Sequence, residues 1–355
     1  MKHKNFDSRW LHFGAGWQPR RVFPIFMSWL LGVSSVAFPC SAVARRGAEK
    51  GFHLAANYDW RARGGIAYFS PRDQIKEGSH HLDQRASVSY AWVSRYASLT
   101  LSQFGRDYPM QGINERGLAG VVLMAPASYP SVGKLGVMTE NLWLQYQLDQ
   151  FASVEDVASH IEDFGIKKIS ADLHWFLCDA GGECATVEFS EGRPEIHRSR
   201  DERLHVVTNS PVSDAWSWYR QWVNSGDQLP EGYNSIARFT RLAWRSSVEG
   251  YLDLGLSLND VALDGFTAWQ SIFNLQKRSI LVRLAGQDWR QLSFPDPRLG
   301  CGEDLPMFSL NENRWQSYSS RDVRELLERA TDGLANEEVR AISEAVEKSE
   351  RVICK

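Results

Sequence analysis

Between residues 51 and 124 the sequence is a series of short apolar or alternating runs separated by turn residues. The runs are GFHLAANYDW, GIAYFSP, ASVSYAWV, ASLTLSQF and GLAGVVLM. Runs of this length and pattern are typical of β-strands joined by tight turns. They predict an antiparallel sheet, whose apolar face must be covered by other elements of the chain.

The elements needed to cover such a sheet follow directly in the sequence. The pattern predicts a helix over residues 139–149 and a second helix that opens at Ser153. Strands return with LHWFLCD, CATVEF and LHVVTNSP, and SIARFTRLAW begins another helix. A hairpin is expected to turn at Gln276-Lys277. The order of strands, helices, helices and strands predicts one α+β domain, with no linker or repeat that divides it.

The two ends of the chain differ from this central part. Residues 1–39 are polar and basic up to Arg20-Arg21 and then apolar, which indicates a secretion signal. The domain is therefore assigned to residues 40–300. In residues 301–355, two stretches with apolar side chains at helical spacing predict amphipathic helices packed on the domain as a C-terminal tail.

Two cleavage points for the signal stay open. Ser35-Val36-Ala37 has the small-x-small pattern that a signal peptidase prefers, whereas a cut directly before Cys40 places Pro39 at the scissile bond. The paired arginines also leave export in the folded state open, although such pairs are common. Either cut predicts a periplasmic or secreted protein.

Charge and cysteine content limit the partners of the exported chain. Residues 1–39 hold five of the 40 basic and one of the 43 acidic residues, so the remainder carries a net charge of about −7. This charge argues against nucleic-acid binding. No stable membrane association is expected after signal removal, and the sequence leaves open whether the protein forms a homo-oligomer. No Cys/His spacing typical of a metal site is present, so neither a metal nor a cofactor is predicted.

Five cysteines in an oxidising compartment leave at least one thiol unpaired. Cys178 and Cys184 flank a predicted hairpin turn, and Cys301 and Cys354 are placed to tie down the C-terminal tail. These are hypotheses about pairing, since a sequence does not supply the geometry of a disulfide. Cys40 is the candidate for the unpaired thiol.

Several short motifs occur in a fixed order along the chain. Cys40 is followed by NYDW at 57–60, GINERGLAG at 112–120, LHWFLCD at 173–179, VVTNSP at 206–211 and ARF at 237–239. In this order and rough spacing the chain resembles the choloylglycine hydrolase and penicillin V acylase family, over about residues 40–290. The resemblance implies a four-layer αββα sandwich of the N-terminal-nucleophile hydrolases and an enzyme that cleaves linear amides without a cofactor.

The resemblance assigns roles to individual residues. It implies that Cys40 is the nucleophile, that Asp59 binds its α-amine, that Asn209 helps to form the oxyanion hole, and that Arg238 lies beside the nucleophile. Each role suits the chemistry: an α-amine can act as a base near neutral pH, an amide supplies a donor without charge, and a nearby cation favours a thiolate. A second oxyanion donor is expected near Met124, where the backbone N–H would serve.

The acyl group of the substrate is expected to be apolar or aromatic, as in penicillin V or N-acyl homoserine lactones. Trp60 is a candidate for binding it, and Trp92, Trp143 and Trp175 are further candidates, although tryptophans more often fill a core. Where the family usually carries a basic residue, this chain has Ala56, and Arg61 or Arg63 would have to replace it.

Two rival hypotheses stay open at this stage. One is a bile salt hydrolase, which the missing basic residue makes less attractive because its substrates are anionic. The other is a binding protein that kept the fold and lost catalysis. For the hydrolase of apolar N-acyl amides and for the bile salt hydrolase alike, the expected partner is a small-molecule N-acyl amide.

Overall fold

The computed structural model describes residues 40–46, 51–78, 90–198, 205–248, 253–294, 300–302, 305–349 and 352–355. The predicted secretion signal, residues 1–39, lies outside them. The described residues belong to one compact unit. Within them, no helix combines the length and apolar character needed to cross a membrane.

The described chain contains both strands and helices. In chain order the strands are β1 (Ser41–Arg46), β2 (Phe52–Asp59), β3 (Ile66–Ser70), β4 (Gln74–Glu77), β5 (Ala91–Val93), β6 (Ser98–Ser102), β7 (Gln111–Asn114), β8 (Ala119–Met124), β9 (Gly136–Thr139), β10 (Phe164–Lys167), β11 (Leu173–Cys178), β12 (Cys184–Ser190), β13 (Arg193–Arg198), β14 (His205–Val207), β15 (Thr267–Asn274), β16 (Ser279–Leu284), β17 (Arg290–Ser293), β18 (Pro306–Ser309), β19 (Arg314–Ser317) and β20 (Ile353–Cys354). The helices are α1 (Glu140–Gln150), α2 (Val154–Ser159), α3 (Val212–Ser225), α4 (Ser235–Val248), α5 (Leu254–Asp260), α6 (Ser320–Thr331) and α7 (Asn336–Ser349).

Two antiparallel sheets form the centre of the fold. One has six strands in the order β14-β1-β2-β15-β16-β17, and the other has nine in the order β13-β12-β11-β8-β7-β6-β3-β18-β19. The strands β9 and β10 form a small parallel pair, and β20, β4 and β5 form a third sheet. The strand at the centre of the six-stranded sheet, β2, is buried on both faces.

The apolar residues divide into layers that follow the alternation of side chains along the strands. In β1, Ala42 and Ala44 belong to the core between the two sheets, whereas Val43 packs with helices α3, α4 and α5. On the nine-stranded sheet, Trp175 and Val187 face outward and pack with α1 and α2. Each sheet is thus covered by helices on its outer face, and the predicted αββα sandwich is confirmed.

Local signals in the sequence account for several element boundaries. Ser153 caps α2 by accepting a hydrogen bond from the backbone N–H of Asp156, as the predicted helix start requires. The hairpin of β15 and β16 turns where it was predicted, with the Lys277 N–H donating to Asn274 Oδ1. These signals lie within a few residues of the turn or cap that they specify.

The segment that follows residue 300 is more than the pair of helices that was predicted. Helices α6 and α7 are present, and Val323 and Val346 of these helices join the core between the sheets. In addition, β18 pairs with β3 and extends the nine-stranded sheet. The strand pattern was missed because β18 and β19 have only four residues each.

The two hypothetical disulfides are both present. Cys178 and Cys184 face each other across the β11–β12 ladder, and Cys301 is joined to Cys354 of β20. The remaining cysteine, Cys40, is free and buried. The Cys301–Cys354 disulfide ties β20 to the segment before β18.

Candidate active site

Cys40 lies directly before β1, and β1 lies between β14 and β2 in the six-stranded sheet. Its side chain is 5% exposed and belongs to the core between the two sheets. Its carbonyl oxygen accepts a hydrogen bond of 2.5 Å from Nη1 of Arg238. In the full sequence its nitrogen is joined to Pro39 in a peptide bond.

Arg238 is buried at 1% exposure and connects the other candidate residues. It is carried by α4, which packs on the outer face of the six-stranded sheet. Besides Cys40, its guanidinium contacts Ser41 Oγ through Nη1 at 2.5 Å, Asn209 Oδ1 through Nη2 at 2.8 Å and the Tyr233 carbonyl through Nε at 2.9 Å. The guanidinium therefore donates hydrogen bonds both to the residue predicted as nucleophile and to the residue predicted as oxyanion donor.

Asn209 follows β14, and its side chain lies at the end of β8, an interior strand of the nine-stranded sheet. Its Nδ2 donates a hydrogen bond of 2.8 Å to the carbonyl oxygen of Met124, the last residue of β8. In an antiparallel strand the N–H and C=O of one residue point to the same side. The Met124 N–H therefore points to the side on which Asn209 lies.

Asp59, the last residue of β2, is fully buried. Its Oδ1 accepts a hydrogen bond of 2.5 Å from Thr267 Oγ1, which in turn accepts from the backbone N–H of Leu263. Its Oδ2 is buried and has no hydrogen-bond partner among the described residues. An unpaired buried carboxylate oxygen costs free energy, so this atom is poised to receive a donor.

A β-bulge explains how Thr267 reaches Asp59. The register of β15 against β2 shifts between Thr267 and Trp269, which pair with Asp59 and Tyr58, so that Ala268 is an extra residue. Without a bulge, residues 267 and 269 would point to the same face of the sheet, whereas Asp59 and Tyr58 point to opposite faces. The extra residue lets Thr267 meet Asp59 while Trp269 stacks on Tyr58.

The electrostatics of the cluster are dominated by burial. Burial and the nearby Asp59 carboxylate raise the pKa of the Cys40 thiol to about 12, although a hydrogen bond from the Asp59 backbone and the charge of Arg238 act in the opposite direction. Burial also raises the pKa of Asp59 to about 7, against the Thr267 hydrogen bond and Arg238. Burial lowers the pKa of Arg238 to about 10, which leaves it charged at neutral pH.

The charge of Arg238 was expected to favour the thiolate form of Cys40, and it does act to lower the pKa of the thiol, but burial raises that pKa by more. The sulfur therefore carries its proton near neutral pH. An attack by this thiol needs a base that removes the proton during the reaction.

Trp60 was predicted to bind substrate, and the structure places its indole beside the C-terminal tail. Its Nε1 donates to the carbonyl oxygen of Ala330 in α6 at 2.7 Å, and its ring packs edge-on against Phe104. The alternative candidates, which are Trp92, Trp143 and Trp175, are buried in the core between the nine-stranded sheet and its helices. That core is separate from the one that includes Cys40, so the core-filling interpretation fits these three.

The position of Ala56 is not taken over by either of the two nearby arginines. Ala56 is buried in β2, opposite Ala42 of β1. Arg61 donates to the carbonyl oxygen of Asp332 at the end of α6, and Arg63 donates to that of Ala285 after β16.

His174 of β11 is a buried histidine that contacts the backbone of Thr208, the residue before Asn209. Its two ring nitrogens are both engaged, Nδ1 with Glu188 Oε1 at 2.9 Å and Nε2 with the Thr208 carbonyl at 2.8 Å. Glu188 also lies near His197 and Glu195, and ligand atoms of these last three residues lie within 4.8 Å of one another. Such a set could hold a cation, but Glu188 already makes a hydrogen bond with His174.

Sequence reasoning did not find two residues that contact the cluster, Thr267 and Ser41. Thr267 meets Asp59 only because a distant strand pairs with β2 through a bulge, which leaves no local signal in the sequence. Ser41 adjoins Cys40 and could have been suspected from its position, but its role as an acceptor for Arg238 requires α4 to be placed.

Comparison with known proteins identifies the family. Residues 40–243 match the model of the linear amide C-N hydrolases, choloylglycine hydrolase family. Penicillin V acylase of Pectobacterium atrosepticum is 32% identical over 177 residues, which cover 44% of this chain and 46% of that protein. The matched region thus spans less than half the length of that relative.

Solved structures with low sequence identity share the fold. Penicillin V acylase from Agrobacterium tumefaciens superposes with a TM-score of 0.64 at 20% identity, over 79% of this chain and 98% of that chain. A mutant of the conjugated bile acid hydrolase from Clostridium perfringens gives a TM-score of 0.61 at 19% identity, over 79% and 96%.

Two stacked antiparallel sheets, each covered by helices on its outer face, are the architecture that this chain shares with these solved structures. Because the family model covers more than half of the chain, the chain belongs to the choloylglycine hydrolase family of linear amide C-N hydrolases.

Proposed function

We propose that this protein is an exported amide hydrolase whose nucleophile is the thiol of Cys40 at the start of the processed chain. The observation that carries the proposal is the buried cluster in which Arg238 contacts both Cys40 and Asn209 while Asp59 keeps one oxygen without a partner. An α-ammonium group on Cys40 would supply the donor that Asp59 Oδ2 lacks. Membership of the family supports the same chemistry.

The proposed reaction begins with proton transfer from the Cys40 thiol to its own α-amine. The sulfur attacks the carbonyl carbon of the amide, and the resulting oxyanion accepts hydrogen bonds from Asn209 Nδ2 and the Met124 N–H. The ammonium then gives its proton to the leaving nitrogen as the C–N bond breaks, which leaves a thioester on Cys40. Water attacks the thioester with the amine again as base, releasing the carboxylic acid and restoring the thiol.

Asp59 and Arg238 have supporting parts in this scheme. The Asp59 carboxylate holds the amine in line with the thiol and stabilises the ammonium form that the first step creates. That ammonium would lower the pKa of Asp59, which burial raises to about 7 against the Thr267 hydrogen bond and the charge of Arg238. Arg238 holds the Cys40 carbonyl and the Asn209 side chain at a fixed separation, so that nucleophile and oxyanion donor stay in register.

Export and maturation belong to the same proposal. The apolar stretch at 22–38 and two disulfides support passage to an oxidising compartment. Removal of residues 1–39 would free the Cys40 nitrogen, which an amide bond to Pro39 otherwise blocks. The active form is therefore proposed to begin at Cys40.

The substrate is proposed to be an N-acyl amide with an apolar or aromatic acyl group and little charge near the scissile bond. The side chain of Ala56 is uncharged and buried. Arg61 and Arg63 donate hydrogen bonds to the backbone carbonyls of Asp332 and Ala285. This favours penicillin V or N-acyl homoserine lactones over glycine- or taurine-conjugated bile salts.

A substrate panel on the purified processed protein tests the proposal. Penicillin V, a long-chain N-acyl homoserine lactone and glycocholate would be compared at matched concentrations, with Cys40→Ala as the control for contaminating activity. We expect hydrolysis of one or both of the first two compounds and a loss of turnover to background in the Cys40→Ala variant. Preferred cleavage of glycocholate would reject the substrate assignment.

A second experiment treats the native protein with a thiol-reactive amide and looks for covalent labelling of Cys40. Labelling supports an active nucleophile, whereas no labelling would favour a binding protein.

A further inference from the structure

A buried glutamate–histidine pair lies behind the turn that carries Asn209. His174 of β11 and Glu188 of β12 are opposite each other in the antiparallel ladder, one pair further along from Trp175 and Val187. His174 Nδ1 and Glu188 Oε1 are 2.9 Å apart, and their side chains are 1% and 12% exposed. The pair is therefore fixed by two adjacent strands of the sheet.

The pair contacts the backbone on both sides of Asn209. His174 Nε2 lies 2.8 Å from the carbonyl oxygen of Thr208, the residue before Asn209. The N–H of Val212, three residues after Asn209, donates to Glu188 Oε1 at 3.0 Å. The turn from 208 to 212 is thus held at its start by the histidine and at its end by the glutamate.

The protonation of the pair follows from its partners. A carbonyl oxygen only accepts, so His174 Nε2 must carry a proton to bond Thr208. Burial would raise the pKa of Glu188, but hydrogen bonds from His174 and His197 outweigh it and lower the pKa to about 2. Glu188 is then an ionised acceptor, which contacts His174 on one side and the Val212 N–H on the other. The glutamate therefore links the histidine at the start of the turn to the backbone at its end.

We propose that His174 and Glu188 are positioning residues that fix the turn 208–212, and with it the amide of Asn209, where the oxyanion of the reaction forms. The inference rests on the proposed function, since it assigns a task to Asn209 in that reaction. Neither His174 nor Glu188 touches the substrate. An oxyanion donor must be held to within a fraction of an ångström, and displacement by about 1 Å is able to cost on the order of a hundredfold in rate.

Two variants remove the clamp in different ways. Glu188→Ala deletes the acceptor and breaks the contact with His174. Val212→Pro deletes only the N–H that Glu188 binds; Val212 is the first residue of α3, where proline is tolerated, and Pro211 before it has an extended backbone that accepts a following proline. Glu188→Gln keeps an acceptor, and Glu195→Gln is the control because Glu195 lies beside His197 and outside the clamp.

The test compares amide turnover with alkylation of Cys40 by iodoacetamide. Alkylation forms no oxyanion, so a displaced Asn209 should slow turnover alone. We expect Glu188→Ala and Val212→Pro to lower kcat roughly tenfold to a hundredfold with KM within about twofold. Alkylation rates should stay at the wild-type value, Glu188→Gln should recover most of kcat, and Glu195→Gln should be unchanged. If Glu188→Ala fails to fold, Val212→Pro carries the test.

Two results would overturn the inference. One is an unchanged kcat in Val212→Pro and Glu188→Ala; the other is a parallel fall of turnover and alkylation, which would indicate a general loss of structure. Hydrogen exchange of the peptide that spans residues 205–213 separates this inference from the proposed function. If the wild-type protein hydrolyses no amide, the proposed function fails, and faster exchange of this peptide in Val212→Pro than in Glu195→Gln would still support the clamp, whereas equal exchange would reject it.

Discussion

Arg238 Nη2 donates to Asn209 Oδ1 at 2.8 Å, and this bond decides which way the Asn209 amide faces. A guanidinium has donors and no acceptor, so only the oxygen of the amide can lie against it. The Nδ2 end is thereby turned to the end of β8, where it donates to the Met124 carbonyl. The cation thus orients a neutral donor, in addition to its effect on the charge of the site.

Arg238→Lys should keep the positive charge and lose the orientation of the amide. Lysine has one ammonium group and cannot contact the Tyr233 carbonyl, the Cys40 carbonyl and Asn209 together. We expect kcat to fall about tenfold or more, and Arg238→Met to be lower still because it also removes the cation. Steady-state kinetics of the two variants check this. Equal activity of Arg238→Lys and wild type would reduce Arg238 to a source of charge.

Asn209→Ala should lose about a hundredfold or more in kcat, because one oxyanion donor is removed from a buried site. The same variant should react with iodoacetamide at the wild-type rate, since alkylation develops no oxyanion. Asn209 is half-buried and lies outside the apolar core clusters, so the melting temperature should change little. A slowed alkylation in Asn209→Ala would mean that the residue supports the thiol itself.

Thr267→Val should move the acidic limb of the pH–activity profile to higher pH. Burial raises the pKa of Asp59 to about 7, and the Thr267 hydrogen bond to the carboxylate opposes that rise. The ionised carboxylate is the form that holds the amine, so activity falls as the pH drops through the pKa of Asp59 in the processed enzyme, which the ammonium of Cys40 lowers. Removing the hydrogen bond raises the pKa further, by about one unit if the bond is worth roughly 1.5 kcal/mol.

Thr267→Ser is the matched control for this profile, because it keeps the hydroxyl that donates to Asp59 and removes only a methyl group. Its acidic limb should coincide with that of the wild type. The assignment of the limb to Asp59 would be wrong if the Val and Ser variants shifted equally, or if neither shifted.

The Cys301–Cys354 disulfide should contribute more stability than the Cys178–Cys184 disulfide. The first closes a sequence separation of 53 residues and the second one of only 6. In the chain-entropy account these loops correspond to roughly 4 and 2 kcal/mol. Paired Cys→Ser variants, measured by denaturant unfolding, should show this order. The reverse order would indicate that the β11–β12 hairpin depends on its disulfide more than the tail does.

Much of the fold could be predicted because its signals are local. The strand runs between 51 and 124, the cap at Ser153 and the turn at Gln276-Lys277 each depend on neighbouring residues, and the structure has strands, cap and turn there. The short strand β18, with four residues, carries no such signal. Its residues become a strand only because β3 offers them an edge.

The candidate site divides in the same way. Cys40, Asp59, Asn209 and Arg238 could be named from ordered motifs, and the structure brings them together. Thr267 could not, because its contact with Asp59 depends on a bulge in a strand more than two hundred residues away. The protonated state of Cys40 was also beyond the sequence, since burial is a property of the folded chain and outweighs the charge of Arg238.

The mass of the N-terminal peptide of the active enzyme tests the central claim most directly. The claim is that the amine of Cys40 serves as the base for its own thiol, and an amine exists there only when the chain begins at Cys40. Protein purified from exporting cells would be separated into active and inactive fractions, and the first peptide of each would be measured by mass spectrometry. The account predicts that the active fraction begins at Cys40 and that any fraction retaining Phe38-Pro39 is inactive. Full activity in a preparation that still carries Phe38-Pro39 would contradict it.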